Sequence, residues 1–223
     1  MWCIPAEGNA HFVCQMEEVL EVYKRPHDPR YPVVCMDETS VQCIKETRAP
    51  IAARPGQPER YDGEYERNGV AHLMLFYAPF DNWRRIQVAD NHAAGEWAEG
   101  VRRLVEEDYA DAKRITLVMD NLNTHTGASL YKVFPPERAR ALLEKLEIVY
   151  TPKHGSWLNI AECEFSVLSR QCLSRRLPDR QTVTKEVKAW VAVRNQQTKP
   201  VDWRFTTTDA RIKLKRLYPQ LLN

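Results

Sequence analysis

Two short apolar runs in this 223-residue chain each end in an aspartate: "VVCM" runs into Asp37, and "ITLVM" runs into Asp120. Both runs have the length and composition of buried strands. In open α/β sheets, sites form just outside the carboxyl ends of neighbouring strands. If these two strands are adjacent, Asp37 and Asp120 converge at one edge of a sheet. Carboxylates held that close repel, and each raises the other's pKa unless a cation lies between them. Mg2+ suits such a pair, because it prefers hard oxygen ligands and uses few protein carboxylates together with water and phosphate. Taken singly, an aspartate at a strand end more often caps a turn; a third acid nearby would change that balance.

The stretch "TPKHGSWLNIAECEFSVLSRQCL" (151–173) offers two candidates for a third acid, Glu162 and Glu164. It reads as a Pro-His-Gly loop followed by a helix over 157–176. At helical periodicity Leu158, Ala161, Phe165, Leu168 and Cys172 form one apolar stripe. Glu162 lies on one flank of that stripe and Glu164 on the other. Either could face a cleft at the sheet edge, and nearness to the helix start favours Glu162 only slightly. Other chemistries lack their motifs. There is no phosphate-cradling Gly-x-x-x-x-Gly-Lys loop, dinucleotide Gly-x-Gly-x-x-Gly, Gly-x-Ser-x-Gly elbow or His-Glu-x-x-His pair. "MDETS" (36–40) lacks the second aspartate that an aspartyl-phosphate phosphatase would want, since Thr39 occupies that position. His125 and His154 are candidates for contacting phosphate or positioning a water, set against the plainer reading of loop residues without chemistry, and Asn121 and Asn123 are read as turn residues.

The elements that must position these acids follow from the rest of the pattern. Residues 9–25 read as an amphipathic helix capped by Asn9, leading through the Pro-rich "RPHDPRYP" (25–32) into the main domain as an appendage. Residues 46–68, with three prolines and many charges, read as a surface loop or insertion. Strand-like runs at 69–80 and 83–89 are joined by "DN" as a hairpin. A helix is expected over 91–109 with Asn91 as its cap, and another over 136–146 with Pro136 at its start. A strand follows at 147–152, then a helix over 182–197 and a basic tail. Hairpin strands followed by alternating strand and helix predict an α/β fold, a ribonuclease-H-like mixed β-sheet flanked by helices. The expected division is an N-terminal helix and connector (1–32), a catalytic core (33–197) and a basic C-terminal tail (198–223).

Composition sets the boundaries. Hydrophobic residues make up 43% of the chain and charged residues 28%, as in ordinary soluble domains. The start, "MWCIPAEGNA", has no signal-peptide pattern, and no apolar run is long enough to span a membrane. The six cysteines have no zinc-ligand spacing, so they are expected to be reduced thiols in the cytoplasm, several of them in the core. The net charge of +2 conceals an asymmetry. From Ser166 onward thirteen Lys/Arg face four Asp/Glu, a local charge of +9 that leaves −7 for the rest. Such a split points to an anionic partner near the C-terminal third, set against the plain alternative of a solvated basic face.

"VVCMDETS", "ITLVMDNLNTH" and "YTPKHGSWLNIAECEFSVLSRQCL" together resemble the three signature blocks of bacterial insertion-sequence transposases of the Tc/mariner superfamily, the DDE superfamily endonucleases. The resemblance runs from about Trp2 to the "DWRFTTTDARIKLKRLYP" tail. It implies a ribonuclease-H-like fold and an Asp-Asp-Glu triad of catalytic metal ligands: Asp37, Asp120 and, following "SWLNIA", Glu162. Glu164 falls outside the motif, and Glu38 is left out because it points to the opposite face of its strand from Asp37. The implied cofactor is Mg2+, with Mn2+ as substitute and two ions expected, Asp37 bridging them and Asp120 and Glu162 completing one each. The implied reaction is DNA cleavage by water followed by strand transfer from the freed 3′-hydroxyl. The implied partners are DNA and a second copy of the chain on DNA ends, with no membrane, and the implied location is the bacterial nucleoid.

Members of the family normally carry an N-terminal helix-turn-helix that recognises the element's ends. The single helix over 9–25 does not supply one, so that portion is expected to be missing or separately encoded. Two alternatives accompany this reading: a catalytically idle remnant that regulates by binding DNA or dimerising, and a ribonuclease-H-like nuclease without strand transfer.

Overall fold

The computed structural model describes residues 8–89, 91, 93–122, 125–197 and 199–219. Its centre is a five-stranded mixed sheet of order β3-β2-β1-β4-β5. β1 (Val33–Glu46) pairs antiparallel with β2 (Tyr65–Ala78), which pairs antiparallel with β3 (Trp83–Ala89). On its other side β1 runs parallel to β4 (Ile115–Met119), and β4 runs parallel to β5 (Leu146–Tyr150). This mixed sheet with helices on both faces is the expected ribonuclease-H-like arrangement.

The apolar run of β1 has no polar alternation because both sheet faces are covered. Val33 and Cys35 point into one core, Val34 and Met36 into the other. The first core is closed by α1 (Ala10–Lys24), α5 (Ile160–Leu168), α6 (Arg180–Gln197) and α7 (Thr207–Lys213). The second is closed by α2 (Ala94–Arg103), the short α3 (Gly127–Tyr131) and α4 (Pro136–Glu144). Both α2 and α5 run on into a π-helical turn, Leu104–Asp108 and Ser169–Leu173 respectively. Among the described residues no helix is long and apolar enough to cross a membrane.

Three elements differ from the sequence reading. α1 is capped by Asn9 as expected, but it is no appendage: Phe12, Met16, Val19, Leu20 and Val22 are buried against the sheet and α7. The proline-rich connector after it reverses the chain, so the helix folds back over the β5 side of the sheet, where Arg25 just beyond it pairs with Glu147. The 46–68 insertion is partly a ribbon. β1 and β2 keep pairing out to Glu46 and Tyr65, and isolated bridges join Ile51 to Arg60 and Arg54 to Gln57. A projecting two-stranded arm has no core to face, so it shows no apolar alternation. α2 begins at Ala94, with Asn91 accepting a hydrogen bond from the Ala93 N–H just ahead of it.

Candidate active site

The parallel register sets two of the acids side by side. Val33 pairs with Thr116, Val34 with Leu117 and Cys35 with Val118, so Asp37 and Asp120 each lie two residues beyond the last pair. Residues in parallel register share a face, and Cys35 and Val118 both belong to the core beneath α1 and α5. The two aspartates therefore leave the sheet on that same side. Glu162 approaches from above, in the first turn of α5 and exposed to solvent.

The charge on Asp37 reports this convergence. Burial pushes its carboxyl up to about 7, against the pull of the Glu38 N–H, which donates to its Oδ1 at 2.8 Å. The negative charges of Asp120, Glu162 and Glu38 contribute to that same rise. A half-buried carboxylate crowded by three others is a site that a cation relieves, and three hard oxygen donors fit Mg2+ or Mn2+. Among the described residues no three His, Cys, Asp or Glu side chains stand close enough to grip one ion as placed. The acids are electrostatic neighbours rather than a closed cage.

His125 has a larger part than its loop position indicates. It is buried, with one ring nitrogen 3.1 Å from Asp120 Oδ1 and the other 3.1 Å from Glu38 Oε1. Trp97 of α2 stacks on its ring, and the Tyr150 hydroxyl donates to its carbonyl. Burial alone would lower its pKa, but the two carboxylates outweigh that and raise it to about 9, so the ring is an imidazolium at neutral pH. Glu38 does point to the opposite face from Asp37, as read from the sequence. His125 nevertheless ties it to Asp120 around the end of β4. His154 is exposed, with φ 65°, in the loop before α5. Asn123 lies outside the described residues.

Glu164 is not a surface acid. It is buried, only 4% exposed, and its carboxylate is gripped by Arg194 of α6 at 3.1 and 3.0 Å. Arg84 of β3 stands 3.0 Å away on the other side, an ionic contact rather than a well-aligned hydrogen bond. Its flank of α5 faces the β3–α6 seam, which nothing within residues 151–173 could announce. The two glutamates thus separate cleanly: Glu162 faces the open sheet edge, and Glu164 clamps the helix to the fold.

Beside Asp120 a groove of about 570 Å³ runs between α1 and the loop before α5, with His11 and Gln15 on one wall and Lys153 and His154 on the other. Gly155 in that loop has no room for a side chain, since a Cβ there would come within 2.5 Å of the Pro152 ring.

Among solved structures the chain is similar to the Mos1 mariner paired end complex with Mn (TM-score 0.55, 18% identity, covering 86% of this chain and 58% of that one). It is similar also to the Mos1 paired-end complex with left transposon end (0.57, 17%, 85% and 57%) and to the Mos1 Strand Transfer Complex (0.56, 16%, 85% and 56%). At these identities the likeness is one of fold, and the chain spans less than three-fifths of the length of those proteins. No curated protein sequence matches it. Residues 32–184, over two-thirds of its length and including all three acids, match the DDE superfamily endonuclease pattern, and the chain belongs to that family.

Proposed function

We propose that this chain is the catalytic domain of a Tc/mariner-type transposase, cutting DNA and joining the freed end to a new site. The observation that carries the proposal is the meeting of Asp37, Asp120 and Glu162 at one sheet edge in a member of an endonuclease family. Two similar structures are a transposase complex with Mn and one with Mg. In this chain Asp37, Asp120 and Glu162 are the residues that would hold Mg2+, with Mn2+ as substitute and two ions expected. Divalent ions so held supply activation of the attacking oxygen and relief of charge on the leaving oxygen.

The chain's own residues then have distinct tasks. Asp37 and Asp120, fixed by the β1–β4 register, present carboxylate oxygens on one face. His125 holds Asp120 in place from behind and offsets part of the negative charge gathered there. The groove lined by His11, Gln15, Lys153 and His154 accepts the sugar-phosphate backbone next to the scissile phosphate. Cleavage adds a water oxygen to phosphorus and breaks the P–O3′ bond, leaving a 5′-phosphate and a 3′-hydroxyl. In strand transfer that hydroxyl oxygen attacks a phosphodiester of the target, whose own 3′-oxygen departs and takes up a proton. The open edge of the site admits either nucleophile. DNA is the proposed partner, in a homodimer on paired ends.

The test is metal-dependent nicking of supercoiled plasmid by the purified chain. Nicking is expected with Mg2+ or Mn2+, to vanish with EDTA and to be absent in Asp120→Asn. Equal nicking by wild type and variant would defeat the catalytic assignment. Salt-sensitive DNA binding without any cleavage would instead make the chain a DNA-binding regulator.

A further inference from the structure

Asn159 is 2% exposed and sits between the strand that bears Asp37 and the helix that bears Glu162. Its Oδ1 accepts from the Ala161 N–H at 3.2 Å, capping α5. Its Nδ2 donates to the Met36 carbonyl at 2.8 Å, one residue before Asp37. Its own carbonyl accepts from the Glu162 N–H at 3.1 Å. The amide can sit only one way round, because a backbone N–H can only donate and a backbone carbonyl can only accept. The same turn is held from below by Tyr23 of α1, whose hydroxyl donates to the Leu158 carbonyl at 2.7 Å and lies 3.3 Å from Cys35 Sγ.

Resting on the reading of Asp37 and Glu162 as metal ligands, we propose that Asn159 is a positioning residue that sets the spacing between those two carboxylates by hydrogen-bonding both elements at once. The choice of residue type supports this. As helix caps, Asn, Asp and Ser are nearly interchangeable. As a bridge they are not: Ser is too short to reach the Met36 carbonyl while capping, and Asp has no N–H to offer it. Asp would also set a further negative charge beside Asp37. Only Asn meets both demands.

The test compares the full chain with Asn159→Ser and Asn159→Asp by calorimetric Mn2+ titration, by metal-free thermal unfolding and by the Mn2+ dependence of nicking. Asn159→Ser keeps a cap but leaves the Met36 carbonyl without this donor, so the variant is expected to fold with its metal-free unfolding midpoint lowered by roughly 2–12 °C. Its Mn2+ affinity is expected to fall about tenfold or more, as when groups that orient metal ligands are removed. Excess Mn2+ should restore most of its maximal nicking rate, which a general loss of stability would not allow. Wild-type Mn2+ affinity in Asn159→Ser would overturn the inference. If that variant does not fold, judged by circular dichroism, the Mn2+ affinity of Asn159→Asp decides in its place, a tenfold fall supporting the inference and a wild-type value overturning it. Tyr23→Phe, which loses only the lower anchor, should weaken Mn2+ binding less than either. A wild-type chain that takes up no Mn2+, with Asp37→Asn indistinguishable from it, would overturn the ligand reading and this inference with it.

Discussion

Replacing Glu164 by Gln should unfold the protein far more readily while leaving its metal site intact, and replacing Glu162 by Gln should do the reverse. Glu164 is the buried acid between two arginines, one fully buried and one partly exposed. Removing one member of a buried ion pair costs about 3–5 kcal/mol, because the other charge is left uncompensated. Two features place this case near the lower figure. Arg84 keeps Asn195 Oδ1 at 3.0 Å, Asn82 Oδ1 at 3.1 Å and the Tyr77 ring, and Arg194 can turn toward water. A loss of about 3 kcal/mol in a chain of this size lowers the unfolding midpoint by roughly 6–12 °C. Glu162 is exposed, and its charge adds to the crowding around Asp37, so Glu162→Gln should leave the metal-free midpoint unchanged or slightly raised. The assay is thermal and urea unfolding in EDTA, paired with Mn2+ titration of each variant. A cost below about 1 kcal/mol for Glu164→Gln, the range of an exposed pair, would refute the clamp. Loss of Mn2+ binding in a folded Glu164→Gln would show that the two glutamates had been assigned the wrong way round.

Two further outcomes turn on pH. The Asp37 carboxyl rises from 3.8 to about 7 on folding, so the folded state keeps a proton that the unfolded chain releases. Stability of the metal-free protein should therefore fall as pH rises from about 4 through 7, by at most about 4 kcal/mol. Asp37→Asn should abolish that slope and exceed wild type in urea unfolding at pH 8; parallel curves would count against it. For His125 the sign is opposite. Its pKa rises from 6.5 to about 9, so its stabilising contribution is complete below 6.5 and lost as pH passes through 9. His125→Phe keeps a ring against Trp97 and should be least stable relative to wild type near pH 6, the gap narrowing above pH 9. A gap independent of pH would remove the imidazolium from the account.

The strands and their terminal acids were legible because a strand buried on both faces must be an unbroken apolar run, and an acid that ends such a run stands out. Register then needed no further information: two similar strands side by side bring Asp37 and Asp120 level. The third acid was not legible from periodicity, since Glu162 and Glu164 flank the same stripe and differ only in what lies opposite. Arg84 and Arg194 lie 80 and 30 residues from Glu164, and no local pattern connects them. The burial of His125 between two carboxylates was not legible for a similar reason, because its partners arrive from the ends of different strands. The arm beyond Glu46 was read as loop because a solvated ribbon carries no apolar signature.

The packing of α1 against α7 has a consequence for how the molecule is made. The Asn9 N–H donates to the Leu217 carbonyl, Glu17 pairs with Arg211 and accepts from the Tyr218 hydroxyl, and Thr207 donates to Glu21. During translation α1 emerges among the first segments and these partners among the last. At about 5–20 residues per second its apolar face waits roughly 10–40 s for them. Through that interval Phe12, Met16 and Leu20 have for cover only the sheet, α5 and α6 as each emerges. A ribosome stalled before Thr207 would carry a complete sheet and all three acids, yet hold them over a helix not fully fastened down.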